Sequence, residues 1–212
     1  MHHIPRISVV LLLSLYLASP PVSSFETSLS DEAVREAYFL GQRRDEKTAL
    51  FLETYRRYLP LPKLGPHVHM VEVFTPFAEA VDVSRKHVGS YSAQQARLDY
   101  CVRGDSLYIG VHIRYTATYG PGFPYSPKQP DSWSDFRVRL TQDAKLIEPR
   151  SVKYEATRIG TGGGKGDGSR PTGFIVWQEY DASNLSSADV AVEIDTPDGQ
   201  QVTATFDLSR LR

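Results

Sequence analysis

One stretch of this chain, Ser106 to Tyr119, alternates between apolar and more polar residues over about ten positions. A period of two is the repeat of a β-strand, in which successive side chains point to opposite faces. The pattern therefore predicts a half-buried strand of an antiparallel sheet with one covered face. The polar positions include His112, Arg114 and Thr116, and the apolar positions are Leu107, Ile109, Val111, Ile113 and Tyr115.

Strand signals recur on both sides of this central strand. One strand is predicted around Val71, where β-branched residues are dense. Short strands separated by turns favour a sandwich, so we predict an α+β chain whose main domain is an antiparallel β-sandwich of about seven strands. The later strands are predicted from apolar residues over residues 136–140, 152–156, 174–177, 190–194 and 202–208.

Residues 25–60 are predicted to form an N-terminal helical segment. Their apolar stripe begins at Val34, weakens after Gly41 and resumes at Phe51. The pattern predicts either two helices broken near Gly41 or one long bent helix, and Pro60 is expected to end it.

A second group of helical signals lies before the central strand. Thr75 suits the N-cap of one helix, Ser92 begins the pattern of a capping box that opens another, and Gly104 is a typical C-cap glycine. We therefore expect a helical insertion, residues 75–104, between the first two strands of a domain that covers residues 61–212.

The first residues, 1–24, are predicted to be a signal peptide. Ile7 to Ala18 is a nearly unbroken apolar run, shorter than the roughly 20 residues that a membrane span needs. Small residues precede a cleavage site after Ser24, and an uncleaved N-terminal anchor is the alternative. We expect an exported protein, periplasmic or secreted, with no transmembrane segment after signal cleavage.

Charge and cysteine content narrow the class of protein. The formal net charge is -1 at pH 7, so no basic field favours binding to nucleic acid. Cys101 is the single cysteine, which excludes an intramolecular disulfide and, in an exported protein, is more typical of bacteria than of eukaryotes. We expect Cys101 to be a small buried residue on a helix.

Several motifs of the second half are similar to a known type of domain. They are the run Asp135 to Leu140, Pro149, the run Gly173 to Val176, the turn Thr196-Pro197-Asp198-Gly199 and the closing Phe206-Asp207-Leu208. From about Leu107 to Leu208 the chain resembles exported bacterial immunoglobulin-like β-sandwich domains. The whole chain resembles uncharacterised exported bacterial proteins that join a helical N-terminal part to such a domain. The resemblance implies an immunoglobulin-like sandwich and supplies no catalytic residue.

Three histidines are candidates for a metal site. His67 and His69 are two residues apart, so both point to one face if they belong to a strand, and His112 lies on the polar face of the central strand. If the two strands pair, the three imidazoles would supply the ligand set of a catalytic zinc site. The alternative is that His67 belongs to the turn at Gly65-Pro66 and that His112 is an exposed polar residue.

Aromatic residues mark a loop rich in proline and glycine after the central strand. Tyr119, Phe123 and Tyr125 lie at or within the loop, and Trp133 follows it. Rings on a stiffened loop at the end of a sandwich are suited to binding a sugar or a peptide. In the alternative, the loop folds back and its rings cover an edge of the core.

The sequence carries no Gly-x-Ser-x-Gly elbow and no other catalytic signature, and it predicts no cofactor. We therefore expect a non-enzymatic binding or structural protein of the cell envelope, with another envelope protein or a glycan as its partner. The alternative is a metal-dependent hydrolase outside the cytoplasm that uses His67, His69 and His112. The fold class does not choose between these functions, because one sandwich hosts many.

Overall fold

The computed structural model describes residues 25–60, 66–115, 133–158 and 171–212. Over this part of the chain the fold is α+β, with four α-helices and two antiparallel β-sheets of five and four strands. The helices are α1 Asp31–Arg43, α2 Glu46–Glu53, α3 Pro76–Lys86 and α4 Ala93–Arg103. The strands are β1 Arg56–Tyr58, β2 Pro66–Phe74, β3 Ser106–Tyr115, β4 Arg137–Gln142, β5 Lys145–Ile147, β6 Ser151–Arg158, β7 Pro171–Asp181, β8 Asp189–Asp195 and β9 Gln201–Asp207.

The five-stranded sheet has the order β1-β2-β3-β7-β6, and the four-stranded sheet has the order β5-β4-β8-β9. Neighbouring strands are antiparallel in every pair. The predicted strands are confirmed as β2, β3, β4, β6, β7, β8 and β9. The sequence does not predict β1 and β5, since each has 3 residues and is too short to show a period.

The central strand β3 has the two different faces that its alternation predicts. The side chains of Leu107, Ile109, Val111 and Ile113 are at most 1% exposed and belong to one hydrophobic core, to which both sheets and the helices contribute. Across that core, Gln178 Nε2 on β7 donates to the carbonyl oxygen of Val138 on β4 at 3.2 Å. The opposite face of β3 carries His112, and at one end of that face Tyr108 packs against the same core.

The N-terminal segment forms two helices rather than one bent helix. The Ser30 side chain caps α1 by accepting a hydrogen bond from a backbone N–H of its first turn, and Arg44 ends the helix with a left-handed φ of 51°. The Asp45 side chain then caps α2. The break falls at Arg44, beyond Gly41. Gly41 instead allows α1 to approach α3 closely, because a Cβ at this position would lie 2.3 Å from the carbonyl oxygen of Val81.

The second helix is shorter than predicted. The expectation that Pro60 ends it is wrong, because α2 ends at Glu53. Tyr55 turns inward, is only 1% exposed, and its carbonyl oxygen accepts a hydrogen bond from the Val73 N–H at 3.0 Å. The chain then pairs with β2 as the edge strand β1. Burial of Tyr55 and pairing with the sheet thus override the helical pattern.

The two later helices, α3 and α4, lie between β2 and β3 in the chain, and their predicted ends are confirmed. The side chains of Thr75 and Ser92 accept backbone N–H bonds in the first turns of α3 and α4, and Gly104 ends α4 with a φ of 73°. The capping box at Ser92 is half formed, because Gln95 Nε2 donates to Asp99 Oδ1 at 2.7 Å instead of turning back.

Cys101 lies on α4 and is exposed, so the expectation of a buried cysteine is wrong. On this helix Ala96 is buried, whereas Val102 beside the cysteine is 87% exposed. The helix therefore packs through a narrow strip, and its apolar residues do not all face the core.

The predicted signal peptide, residues 1–24, lies outside the described residues and stays a prediction. Among the helices that the structure describes, none combines the length and the apolar character needed to cross a membrane.

Candidate functional site

Each sheet has a second face, opposite the one that contacts the other sheet, and these two second faces carry different side chains. The face of the five-stranded sheet is called the His112 face and that of the four-stranded sheet the Arg139 face. The His112 face consists of Arg56, Tyr58, Met70, Glu72, Phe74, Tyr108, Gly110, His112, Arg114, Ser151, Lys153, Glu155, Ile175, Trp177 and Glu179. The Arg139 face consists of Arg137, Arg139, Thr141, Leu146, Asp189, Ala191, Glu193, Asp195, Gln201, Thr203, Thr205 and Asp207.

Strand β2 is buried on both of its faces. On the His112 face, Met70, Glu72 and Phe74 are 8%, 4% and 3% exposed, although a sheet with one covered face leaves such positions in water. None of the residues that define the Arg139 face is buried. The His112 face therefore holds desolvated polar and aromatic groups side by side, as ligand sites do.

Glu72 is a buried carboxylate that joins three strands of this face. Its Oε1 accepts a hydrogen bond from His112 Nε2 at 2.6 Å, and its Oε2 accepts one from Arg56 Nε at 3.1 Å. A buried charge is tolerated only when it is paired and hydrogen-bonded, and these two partners meet that condition.

The contacts with Glu72 affect the pKa of Arg56 and the hydrogen-bonding role of His112. Burial works against the charged form of Arg56, but attraction to Glu72 outweighs it and raises the pKa of the guanidinium. In the neutral imidazole of His112, donation from Nε2 to Glu72 leaves the lone pair on Nδ1, which is then a hydrogen-bond acceptor.

Trp177 of β7 lies flat on the His112 face. A Cβ at Gly110, on the neighbouring strand β3, would lie 2.6 Å from Trp177 Cζ3, so the six-membered ring of the indole covers this glycine. At the other end of the indole, Nε1 donates to Glu155 Oε2 on β6 at 3.3 Å. Because these two ends reach strands on opposite sides of β7, the ring lies along the sheet. It is stacked against Phe74 at a centroid distance of 6.3 Å and stays partly exposed.

The three candidate zinc ligands are neighbours on this sheet but do not form a metal-binding group. His67 lies in β2 and is buried, and its ring is 6.4 Å from that of His69. A register shift between Val68 and Met70 interrupts the regular pairing of β2 with β3, and the Nε2 atom of His112 is engaged by Glu72. No three His, Cys, Asp or Glu side chains in the described part of the chain are grouped to hold a metal ion. The zinc hypothesis therefore gains no support from this geometry.

One histidine of this set has a shifted protonation equilibrium. Burial lowers the pKa of His69 below the ordinary value of 6.5, and the nearby Arg114, His67 and His112 lower it further. The neutral imidazole is thus favoured in the folded protein.

The predicted aromatic loop can be compared with the structure at one residue. Tyr119, Phe123 and Tyr125 lie outside the described residues. Trp133 begins a short 3₁₀ helix, Trp133–Asp135, before β4. The proposed role of these four rings stays a prediction.

Two other depressions lie among the helices. A cavity of about 20 Å³ between α3, α4 and β3 has room for little more than a water molecule. Its Glu79, whose pKa is raised by burial, accepts a hydrogen bond from Arg103 Nη1 at 2.9 Å. A groove of about 390 Å³ beside α2 is lined by charges of both signs, including Arg44 and Glu53, and has no aromatic residue in its lining. Neither depression matches the His112 face as a binding surface.

Sequence reasoning missed the two main residues of this face. Glu72 had a local signal, since it is the only Asp, Glu, Lys or Arg between Pro66 and Phe74. Trp177 had none that identifies its role, because its orientation depends on Gly110 lying opposite it on another strand.

Comparison with known proteins does not assign the chain to a family. No protein-family model matches the chain, and no curated protein matches it. The role of the His112 face is therefore inferred from its own residues.

Proposed function

We propose that this protein is an exported, non-enzymatic binding protein of the cell envelope, and that the His112 face is its binding surface. The observation that carries the proposal is the flat, partly exposed ring of Trp177 beside the buried carboxylate of Glu72. Binding sites combine aromatic surface with a few positioned polar groups, and aromatic residues carry much of the binding energy at interfaces. The Arg139 face, which has no aromatic residue, serves as the reference surface.

We further propose that the two sheets form an immunoglobulin-like sandwich. Without the short edge strand β1, the five-stranded sheet has the order β2-β3-β7-β6, and the other sheet has the order β5-β4-β8-β9. If the strands from β2 onward are lettered A, B, C, C′, D, E, F and G, these orders become A-B-E-D and C′-C-F-G. Sheets of strands A-B-E-D and C-F-G are the arrangement of immunoglobulin domains, which supports this assignment.

The binding part of the proposal is tested on envelope extracts of the organism that makes the protein. Immobilised wild-type protein should retain a defined envelope component, a protein or a glycan, that Trp177→Ala fails to retain. Arg139→Ala, on the other sheet, is the matched control and should behave as wild type. Equal retention by Trp177→Ala and wild type, or no retained component at all, would contradict a binding role for this face.

The export part has its own measurement. After expression of the full chain in a bacterium, cell fractionation and intact-mass analysis should find a periplasmic or secreted protein that begins at Phe25. A full-length chain that stays in the cytoplasm would overturn the assignment to the envelope, and a full-length chain bound to the membrane would favour the uncleaved anchor.

A further inference from the structure

We propose that the ligand of the His112 face is a carbohydrate, one ring of which stacks on Trp177. This inference rests on the proposed binding function and adds the chemical class of the ligand. It depends on three features of the face: a flat aromatic platform, polar groups held beside it, and carboxylates that already accept hydrogen bonds.

The platform is the indole of Trp177. The indole lies along the sheet over Gly110, has the nearly parallel ring of Phe74 next to it, and stays partly exposed, so its exposed part is the surface that a ligand can reach. The face of an aromatic ring carries negative partial charge and attracts polarised C–H groups. One side of a sugar ring presents a row of such C–H groups on a flat surface, so shape and charge both fit.

Polar side chains stand next to this platform. The ring of His112 lies 6.1 Å from that of Trp177 at an interplanar angle of 73°, so it rises beside the platform instead of lying in its plane. Arg56 and His112 are both held by Glu72, which fixes their positions before a ligand arrives. Sugar hydroxyls donate and accept hydrogen bonds, and Nδ1 of His112 and the remaining N–H groups of Arg56 offer both functions.

The side-chain pairing on this face disfavours a cationic ligand. The carboxylate of Glu72 is bound to Arg56 and His112, and that of Glu155 accepts the indole N–H. The carboxylate of Glu179 accepts hydrogen bonds from Ser106 and Ser151. A cationic ligand would have to compete with these partners, whereas Lys153, opposite Trp177 in the sheet, is an exposed cation. A hydroxyl-rich ligand adds hydrogen bonds without breaking those pairs.

The test uses a glycan array with neutral oligosaccharides of glucose, galactose, mannose and N-acetylglucosamine, together with sialylated and sulfated ones. The purified protein should bind at least one oligosaccharide of the array, and binding of none would contradict the inference. In titrations with that oligosaccharide, Trp177→Ala should weaken binding about tenfold or more, whereas Trp177→Phe should retain part of the affinity. Arg139→Ala should leave the affinity unchanged.

A second readout guards against a variant that fails to fold. The chain has 2 tryptophans, so a ¹⁵N-labelled sample gives two indole N–H signals, and Trp177→Phe assigns them. Saturating oligosaccharide should shift the signal of Trp177 in the wild-type protein, and an unshifted signal would overturn the inference. If Trp177-dependent retention of an envelope protein is observed while no sugar binds, the carbohydrate assignment fails and the binding function stands. If a lysine-rich peptide binds at Trp177 more tightly than any sugar, the ligand class is likewise wrong.

Discussion

The two outer sheet faces differ in how far their side chains are exposed to water. The Arg139 face follows the usual pattern of an antiparallel sheet, with mostly short or charged side chains and partly exposed ion pairs, such as Arg139 Nη1 to Asp195 Oδ2 at 3.1 Å. The His112 face departs from that pattern, since it buries Glu72 and carries a flat tryptophan. This difference is the reason for proposing the His112 face, rather than the Arg139 face, as the binding surface.

The two faces also stabilise their charged side chains in different ways. On the Arg139 face, the ion pairs of Arg139 are partly exposed, and such pairs contribute little to stability. On the His112 face, Glu72 has lost its water and depends on Arg56 and His112 for its hydrogen bonds. Removal of a partner is therefore expected to have a much larger effect there.

The largest effect is expected for Glu72→Ala. The change leaves Arg56 and His112 without their buried partner and opens a void, so the free energy of unfolding should fall by about 3 kcal/mol. The matched change on the other sheet, Glu193→Ala, should lower it by less than about 1 kcal/mol. Denaturant unfolding measures both, and equal losses would remove the distinction between the faces.

A smaller loss of unfolding free energy is expected for Gly110→Val. The added side chain meets Trp177 and the Cγ of Glu72, where even a Cβ would lie 2.6 Å and 3.0 Å from the nearest atoms. Overpacking of this kind lowers stability by about 1–3 kcal/mol, and displacement of the indole should shift the tryptophan emission. The control Ala191→Val, on the interior strand β8 of the Arg139 face, should change stability by less than about 0.5 kcal/mol. An unchanged emission spectrum would show that Trp177 does not rest on Gly110.

A modest pH effect is expected from His69. Its pKa is lowered in the folded state, so the unfolded chain takes up a proton first as the pH falls through 6.5. Its contribution to stability is therefore lost between pH 6.5 and the lower folded pKa and is constant above pH 6.5. Unfolding measured at pH 7 and at pH 5 should show that His69→Gln loses less unfolding free energy on acidification than wild type does.

The control for this prediction comes from the Arg139 face, which contains no histidine. Thr205→Ala should lose as much stability on acidification as the wild-type protein. If His69→Gln and wild type lose the same unfolding free energy between pH 7 and pH 5, the pH dependence belongs to other groups.

The smallest effect is expected for Arg139→Ala. Its guanidinium forms partly exposed ion pairs with Glu193 and Asp195, so the loss of unfolding free energy should be less than about 1 kcal/mol and should shrink further in about 0.5 M salt, which screens exposed charges. Unfolding at low and high salt measures it. A loss as large as that of Glu72→Ala would mean that charged side chains contribute equally to stability on the two faces.

Local patterns predicted the local structure well. The alternation in β3, the caps at Thr75 and Ser92 and the C-cap at Gly104 are confirmed, because each depends on residues a few positions apart. The end of α2 and the strand β1 were missed, because they depend on burial of Tyr55 and on pairing with β2.

The candidate site likewise has features that the local sequence predicts and others that depend on long-range contacts. His112 was predicted on the polar face of its strand, but its partner there is Glu72, 40 residues earlier in the chain, rather than a metal-binding set of histidines. Sequence periodicity assigns a residue to a face and does not specify which residue on the next strand lies beside it.

The amino-acid sequence by itself determined the elements of this protein, since hydrophobic period, caps and turn residues act over a few positions. Only the tertiary structure decided that one sheet face has no buried residue and the other buries a carboxylate. That outcome depends on strand register, which places Glu72 between Arg56 and His112 and Gly110 beneath Trp177. Register is a long-range property, fixed by the pairing of segments far apart in the chain, and no short stretch of sequence contains it.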